Sequence, residues 1–273
     1  MLEQFKYINH MNESLDFGKG HLFVNENDLR DFTWEVTSRN DRISGFKRGI
    51  VSKTIPIIIK CKNAEEGYAL RNQLFEVCEK DVLAVKHGKI IIGEYFMKCF
   101  VVESKKAEYL IHGSYMRITV KISTDFPYWN KEKTIAFNQG GGTEGTNLDF
   151  NRDYPSDYTS NLLGKTLNNT NLADTNFKII IYGAFVNPEI TIGGHKYNVN
   201  VSSEKNEYLT IDSQNKTIIL THTDGKQENC FNLRNRDSYV FEKIPPGIQN
   251  VSANASYKFE VVLLEERSEP KWT

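Results

Sequence analysis

The sequence predicts a mainly β protein of two tandem domains, the first of which also holds one α-helix. Apolar residues recur with a period of two over most of the chain, which is the alternation of a β-strand rather than the longer period of a helix. The length of 273 residues exceeds that of one typical compact domain. A glycine-rich stretch near the middle separates two groups of strand-like segments.

The first half combines strands with one helix. Asn63 and Glu66 form a capping-box-like pair that predicts a helix over residues 63–80, although Gly67 inside it is unfavourable. The side chains expected to pack this helix on a sheet follow at the spacing of one helix face: Leu70, Leu74, Val77 and Cys78. Segments rich in β-branched and aromatic residues predict strands at 55–61, 90–102 and 115–122.

Two polar segments interrupt this pattern. Residues 38–54 are basic, contain glycine and lie between apolar strand-like segments, so they predict a long loop or a protruding hairpin. Residues 138–147, NQGGGTEGTN, lack large apolar side chains and predict a flexible linker. We therefore expect an N-terminal domain over 1–137 and a C-terminal domain over 148–273.

The second half predicts a β-sandwich. Short apolar runs alternate with turn residues such as Asn187-Pro188, Gly193-Gly194 and Asp224-Gly225, a spacing typical of sandwiches. The runs that predict strands are 177–186, 189–201, 207–212, 216–222 and 257–264.

Composition excludes several classes of protein. The formal net charge is −1, and the charge difference between the two halves of the chain is too weak to mark a nucleic-acid-binding domain, which normally has a clustered basic face. The four cysteines form no CxxC pair, which argues against a disulfide framework or a zinc site and fits a reducing compartment. The N-terminus lacks a signal-peptide pattern and no apolar run is long enough to span a membrane, so we expect synthesis in the cytoplasm.

No motif supports catalysis, a cofactor or a metal. The string Gly164-Lys165-Thr166 lacks the first glycine of a phosphate loop, since position 159 is threonine. The histidines are dispersed, and no nucleophile elbow is present. Glycoside hydrolysis is disfavoured because the adjacent carboxylate pairs of the sequence do not face one another. We therefore expect no enzymatic activity.

Aromatic clusters are candidate contact sites. Phe126, Tyr128 and Trp129 lie together in the sequence, and Trp272 lies near the end. Such residues are favoured at interfaces, so they predict packing at a domain edge or a subunit contact rather than stacking on a sugar.

Several strings, in order, resemble the distal tail protein (Dit) family of siphophages, in the short form without an inserted carbohydrate-binding module. In the first domain the resemblance rests on an opening pair of strands, the capped helix and the segment from Ser123 to Trp129. In the second domain it is more specific and rests on Tyr182-Gly183, residues 187–190, 207–212 and 216–218, Asn229, Phe231, residues 241–247 and residues 265–272.

The resemblance implies an N-terminal β-sandwich or split-barrel domain with one helix, followed by a galectin-like β-sandwich domain. It also implies a virion protein at the tail tip, whose N-terminal domains form a hexameric ring around the passing DNA. The implied partners are the tail tube protein, the tail hub or spike protein, and receptor-binding proteins. Such a ring needs two complementary patches on each subunit, and we expect one of them in the basic segment: Arg42, Phe46, Lys47 and Arg48.

A carbohydrate-binding module that engages a host-surface glycan is the alternative. Its candidate site would include Arg234, Asn235 and Arg236, but no histidine or tryptophan lies within a few residues of them. Fold alone does not carry sugar binding, so this alternative needs a site shown residue by residue.

Overall fold

The computed structural model describes residues 4–24, 26–111, 114–138, 157–160, 166–254 and 257–272. The chain divides into two compact units, of which unit 1 comprises Met1–Asn130 and Glu266–Thr273 and unit 2 comprises Lys131–Glu265. Strands dominate both units, so the mainly β fold class predicted from the sequence is confirmed. The predicted linker 138–147 lies, apart from Asn138, outside the described residues, and the domain boundaries stay predictions.

Unit 1 is an antiparallel sheet with a helix packed against it. The sheet follows the order β2-β1-β7-β8-β9-β6-β3, while β4 and β5 form a separate hairpin. Its elements are β1 (Phe5–Ile8), β2 (Ser14–Phe17), β3 (Leu22–Val24), β4 (Glu35–Arg39), β5 (Arg42–Lys47), β6 (Val51–Lys60), α1 (Ala64–Ala84), β7 (Gly88–Ile92), β8 (Tyr95–Ile111) and β9 (Tyr115–Thr124).

The buried face of this sheet follows the period of two. Ile55, Ile57 and Ile59 alternate along β6 with more exposed residues, and all three are buried in one hydrophobic cluster. The run 90–102, predicted as one strand, is two strands, because the chain turns at Gly93 and Glu94. Gly93 has a φ of +57°, which glycine adopts without strain.

Helix α1 begins where the capping pair predicts. The Asn63 side chain accepts a hydrogen bond from the Glu66 backbone N–H at 2.8 Å, and the Glu66 carboxylate accepts one from the Lys62 backbone N–H. The helix extends beyond the predicted end to Ala84, where Val85 adopts a left-handed conformation. Of the predicted stripe, Leu74, Val77 and Cys78 are buried and Leu70 packs against the same core.

A buried carboxylate joins this helix to the first strand. Asp81 is fully buried in α1, and one of its oxygens accepts a hydrogen bond from the Tyr7 hydroxyl at 2.5 Å. The other oxygen contacts His10 through the backbone N–H at 2.8 Å and through Nδ1 at 2.6 Å. Burial raises the pKa of the Tyr7 hydroxyl, with a further increase from the hydrogen bond to Asp81, so this hydroxyl stays a donor.

Unit 2 is a β-sandwich of two main sheets. One sheet follows the order β10-β22-β13-β18-β19-β20, with β11 parallel to β10, and the other follows β12-β21-β15-β16. Its strands are β10 (Trp129–Asn138), β11 (Asp157–Ser160), β12 (Thr166–Asn169), β13 (Phe177–Tyr182), β14 (Phe185–Val186), β15 (Glu189–Ile192), β16 (His195–Asn198), β17 (Ser202–Ser203), β18 (Tyr208–Asp212), β19 (Thr217–Thr221), β20 (Gln227–Asn229), β21 (Gly247–Ala253) and β22 (Lys258–Arg267).

The two sheets of unit 2 share one hydrophobic core. Phe177 and Phe259 from the first sheet and Ile190 and Val251 from the second belong to the same buried cluster. The β-sandwich predicted for the second half of the chain is therefore confirmed. The predicted strand 189–201 is again a hairpin, because Gly193 and Gly194 form a turn between β15 and β16.

Candidate functional site

Strands β4 and β5 form a projecting hairpin in unit 1. Among the described residues they pair only with each other, in a two-stranded sheet that is separate from the main sheet. Asn40 and Asp41 form the turn with φ values of +51° and +57°, the left-handed conformation of a tight hairpin turn that these residue types tolerate. Of the two predicted alternatives for residues 38–54 the structure therefore has the hairpin, which begins at Glu35, while residues 51–54 belong to β6.

Both apolar and basic side chains are exposed on this hairpin. Ile43 is 65% exposed and Phe46 is 60% exposed, and Val36 lies opposite Phe46 across the two strands. Arg39 and Arg42 lie opposite each other beside the turn, and like charges in that position destabilise a strand pair. An exposed apolar patch with polar or charged side chains at its border is typical of a contact site.

Arg48 anchors the base of the hairpin. Its guanidinium donates a hydrogen bond to the Pro127 carbonyl at 2.7 Å and lies 4.9 Å from the ring centroid of Trp34 and 5.1 Å from that of Tyr128. Trp34 and Tyr128 also meet edge to face, with ring centroids 6.1 Å apart. Partial burial lowers the pKa of Arg48 from its usual value, although Tyr128 opposes this change. Arg48 is therefore a packed side chain, in contrast to the exposed Arg42 and Lys47.

The four aromatic candidates occupy three different environments. Phe126 packs against Tyr128, with ring centroids 4.9 Å apart, close to the hairpin base. Trp129 is only 1% exposed and belongs to the core, where its indole N–H has no hydrogen-bond partner among the described residues. Trp272 is 75% exposed, and the Arg30 guanidinium lies 4.0 Å above its ring.

The aromatic contribution of Trp34 and Phe32 was not predicted. Both side chains are exposed at the start of the hairpin, and both rings face Arg48. The signal available in the sequence was the motif Phe32-Thr33-Trp34, which has large aromatic residues just before the basic segment.

Helix α1 carries a second exposed apolar surface in unit 1, which the sequence analysis also missed. Tyr68, Phe75 and Val82 are exposed and recur every seven residues, so they lie along one face of the helix, beside the buried stripe. The exposed charged side chains of α1 are all acidic: Glu65, Glu76 and Glu79. We refer to Tyr68, Phe75, Val82 and these three glutamates as the outer face of α1.

In unit 2, cationic side chains pack on aromatic rings near Arg234, one of the residues that the carbohydrate-binding alternative would use. The Arg234 guanidinium lies 4.1 Å from the ring centroid of Phe231, and Lys216 lies 5.3 Å from that of Tyr239. His195, distant in sequence, contacts the Tyr239 carbonyl through Nε2 at 3.0 Å. Each of these cations lies over one face of its ring, and a ring face is the surface on which a sugar would stack.

The chemistry available elsewhere is limited. Within the described ranges no group of three or more His, Cys, Asp or Glu side chains is arranged to hold a metal ion. Cys61, Cys78, Cys99 and Cys230 are buried free thiols, and burial raises the pKa of Cys78 to about 12. The part of the chain that the structure describes contains no helix long and apolar enough to cross a membrane.

Comparison with known proteins identifies similar structures but no similar sequence. No protein-family model and no curated protein sequence matches the chain. A chain of the phage P2 baseplate in its activated conformation with Ca matches 99% of this chain and 100% of its own length, with a TM-score of 0.63 and 13% identity. The Dit protein of SPP1, described as a paradigm of the hub adsorption apparatus in phages that infect Gram-positive bacteria, matches 96% of this chain and 99% of its own length, with a TM-score of 0.59 and 11% identity.

At these identities the likeness concerns the fold. Both matches extend over nearly the whole chain and nearly the whole of the similar protein, so both units have their counterparts there. The resemblance predicted from the sequence is thereby confirmed at the level of the fold: this chain has the fold of phage Dit and baseplate proteins over nearly its whole length.

Proposed function

We propose that this chain is a structural protein at the distal end of a long, non-contractile phage tail. In this role it forms a hexameric ring that connects the tail tube to the hub or spike and to the receptor-binding apparatus. The observation that carries the proposal is the full-length match to a phage baseplate chain and to a Dit protein, with no large part of either chain left over. The phage DNA passes through the lumen of the ring without specific binding, in keeping with a net charge of −1.

In this proposal unit 1 builds the ring. The hairpin supports this assignment, because Ile43 and Phe46 expose apolar surface that an isolated subunit does not bury. Repetition of one heterologous contact around an axis closes a ring when each subunit presents two complementary patches. Phe46 lies on one face of the hairpin and Arg42 and Lys47 lie on the other, so the hairpin as a whole forms one contact element, and Arg48 packs at its base.

The experiment is a measurement of assembly with the purified full-length chain. Light scattering over a broad concentration range, together with negative-stain images, is expected to show rings of six times the 31.4 kDa chain mass. Where the chain alone is monomeric, the tail tube protein and the hub protein of the same phage are added, because some rings close only with partners. A chain that stays monomeric in both settings contradicts the proposal.

The alternative function is carbohydrate binding by unit 2, and one observation favours it. Tyr239 is 55% exposed beside His195 and Lys216, so an aromatic ring and polar groups do converge on one surface. The cations over the ring faces argue against it. If unit 2 binds carbohydrate, the protein should be a monomer that binds host glycans, and Tyr239→Ala should abolish this binding. If the protein forms the proposed ring, Tyr239→Ala should leave assembly unchanged.

A further inference from the structure

We infer that the hairpin of one subunit docks on the outer face of α1 of the next copy of the chain. This inference rests on the proposed ring and specifies which two surfaces of unit 1 meet in it. It follows from the exposure and the charge of the two surfaces.

The hairpin requires a partner with negative charge. Arg39 and Arg42 face each other across the strands next to the turn, where their repulsion costs stability unless an acidic group lies nearby. Lys47 has one such group, Glu35, at 3.4 Å, but both side chains of that pair are largely exposed and the contact is weak. Because residues opposite each other share a face, Phe46 lies on one face of the hairpin, and the two arginines and Lys47 lie on the other. The partner surface should therefore offer apolar area to the face of Phe46 and carboxylates at its border, within reach of the long arginine side chains.

The outer face of α1 has this combination. Phe75 is 52% exposed at its centre, between Tyr68 and Val82 one heptad away on either side. Glu79 and Glu76 lie along one side of this apolar stripe, and Arg71 lies on its other side. The two basic residues of the helix, Arg71 and Lys80, are less exposed, and Lys80 is paired with Glu13 at 2.6 Å. The outer face is therefore apolar and acidic where the hairpin is apolar and basic.

A second copy of this chain is the occupant that fits both surfaces at once. The two patches differ and lie on the same unit, which is the arrangement a heterologous ring contact needs. One kind of contact between copies covers both patches, whereas tube and hub proteins would need two different contacts to do so.

Cysteine cross-linking tests the pairing directly, because the four native cysteines are buried. Phe46→Cys and Phe75→Cys are made in separate full-length chains, one of them with a size tag, and the two are mixed under the conditions in which the wild-type chain forms rings. A short bismaleimide is expected to give the tagged–untagged dimer in this mixture, several-fold above the homodimers that each variant gives alone. A single chain with both substitutions is expected to give a ladder that ends at six subunits.

Val186→Cys, at an exposed position of unit 2, is the matched control partner for Phe46→Cys. Equal cross-linking with Val186→Cys and with Phe75→Cys, in a preparation that contains rings, overturns the docking inference and leaves the proposed function in place. The absence of rings from wild-type chain with tube and hub proteins present overturns both. Cross-linking of Phe75→Cys to the tube or hub protein instead of to Phe46→Cys identifies a different occupant and also overturns the inference.

Discussion

Asp81 shows how one polar residue can fix the position of an element. Its carboxylate is fully buried, and it accepts hydrogen bonds from the Tyr7 hydroxyl and the His10 backbone N–H. Gly88 lies so close that an added Cβ would stand 2.2 Å from an Asp81 oxygen. The hydrogen bonds of Asp81 therefore join the helix to β1, and a residue larger than glycine does not fit at position 88.

We expect Asp81→Ala to destabilise the protein by about 3 kcal/mol, because it leaves buried donors of Tyr7 and His10 without an acceptor. Urea denaturation of the full-length chain measures the effect. Glu79→Ala, at an exposed position of the same helix, is the control and should change stability by less than about 0.5 kcal/mol. Similar losses in the two variants would show that the buried network contributes little.

His222 gives unit 2 a pH-dependent contribution to stability. Its Nδ1 lies 2.6 Å from a Glu207 oxygen and its Nε2 lies 3.4 Å from a Glu228 oxygen. The hydrogen bond to Glu207 raises the pKa of His222 above its usual 6.5, and Glu228 adds to the increase, whereas desolvation opposes it. A raised folded-state pKa means that the stabilisation is fully present below about pH 6.5 and is lost as the pH rises through the folded-state pKa.

We therefore expect wild type and His222→Gln to differ in stability at pH 6 and to converge as the pH rises through the folded-state pKa of His222, as measured by thermal unfolding at several pH values. NMR titration should place the His222 pKa above that of the same imidazole in Glu207→Gln. A constant difference between wild type and His222→Gln across this range contradicts the argument.

The burial and the contacts of individual side chains were harder to predict from the sequence than the strands and the helix. Trp129 and Trp272 were given the same interpretation, yet Trp129 is buried and Trp272 is exposed. The difference is tertiary, since Trp129 begins a strand that enters the core whereas Trp272 lies in the tail after the last strand. The partnership of His195 with Tyr239 was also missed, because the two residues are distant in sequence.

At the scale of elements, the sequence was sufficient to predict those features that depend on contacts between residues close together in the chain. The Asn63 cap, the buried stripe of α1 and the alternating strands follow from nearest-neighbour chemistry. Tight turns inside apolar runs were less visible, because periodicity continues across them. Three runs that were predicted as single strands contain a turn with glycine at positive φ, at Gly93, Gly183 and Gly193.

The N-cap of α1 provides a test at this scale. We expect Asn63→Ala to cost about 1 kcal/mol of stability, because the Glu66 N–H loses its acceptor at the helix start. Asn72→Ala, at an exposed position within the same helix, is the matched control and should be neutral or slightly stabilising, since alanine has the higher helix propensity. Chemical denaturation monitored by circular dichroism distinguishes the two, and equal effects would contradict the capping role.

At the scale of the whole molecule, one unit carries the resemblance to a family and the other carries the proposed contacts. The strings that resemble the Dit family lie mainly in unit 2, whereas the two exposed apolar surfaces proposed as contacts lie in unit 1. An interface is not visible in the periodicity of one chain, because its apolar residues look like core residues until their exposure is known. Phe46 and Phe75 illustrate this, since both fit a strand or helix pattern and both are exposed.

Charge reversal tests the assembly as a whole. We expect Arg42→Glu with Lys47→Glu to weaken ring formation by about tenfold or more at low ionic strength, since each exposed pair contributes up to about 1 kcal/mol and the contact recurs around the ring. Arg48 is a poorer choice than the sequence suggested, because its guanidinium is packed on Trp34 and Tyr128 and its reversal would disturb the hairpin itself.

The control is reversal of Lys226, whose side chain is 82% exposed in unit 2, rather than of Lys216, which packs over Tyr239. Adding Glu76→Lys and Glu79→Lys to the hairpin variant should restore rings, because the acidic partner then becomes basic where the hairpin has become acidic. Sedimentation velocity at low and high salt measures each case, and the differences should shrink at high salt, where exposed charges are screened. If reversal of Lys226 reduces ring formation as much as reversal of Arg42 and Lys47 does, the hairpin is not part of the interface. If the hairpin variant loses rings and the added α1 substitutions do not restore them, the hairpin is part of the interface but α1 is not its partner.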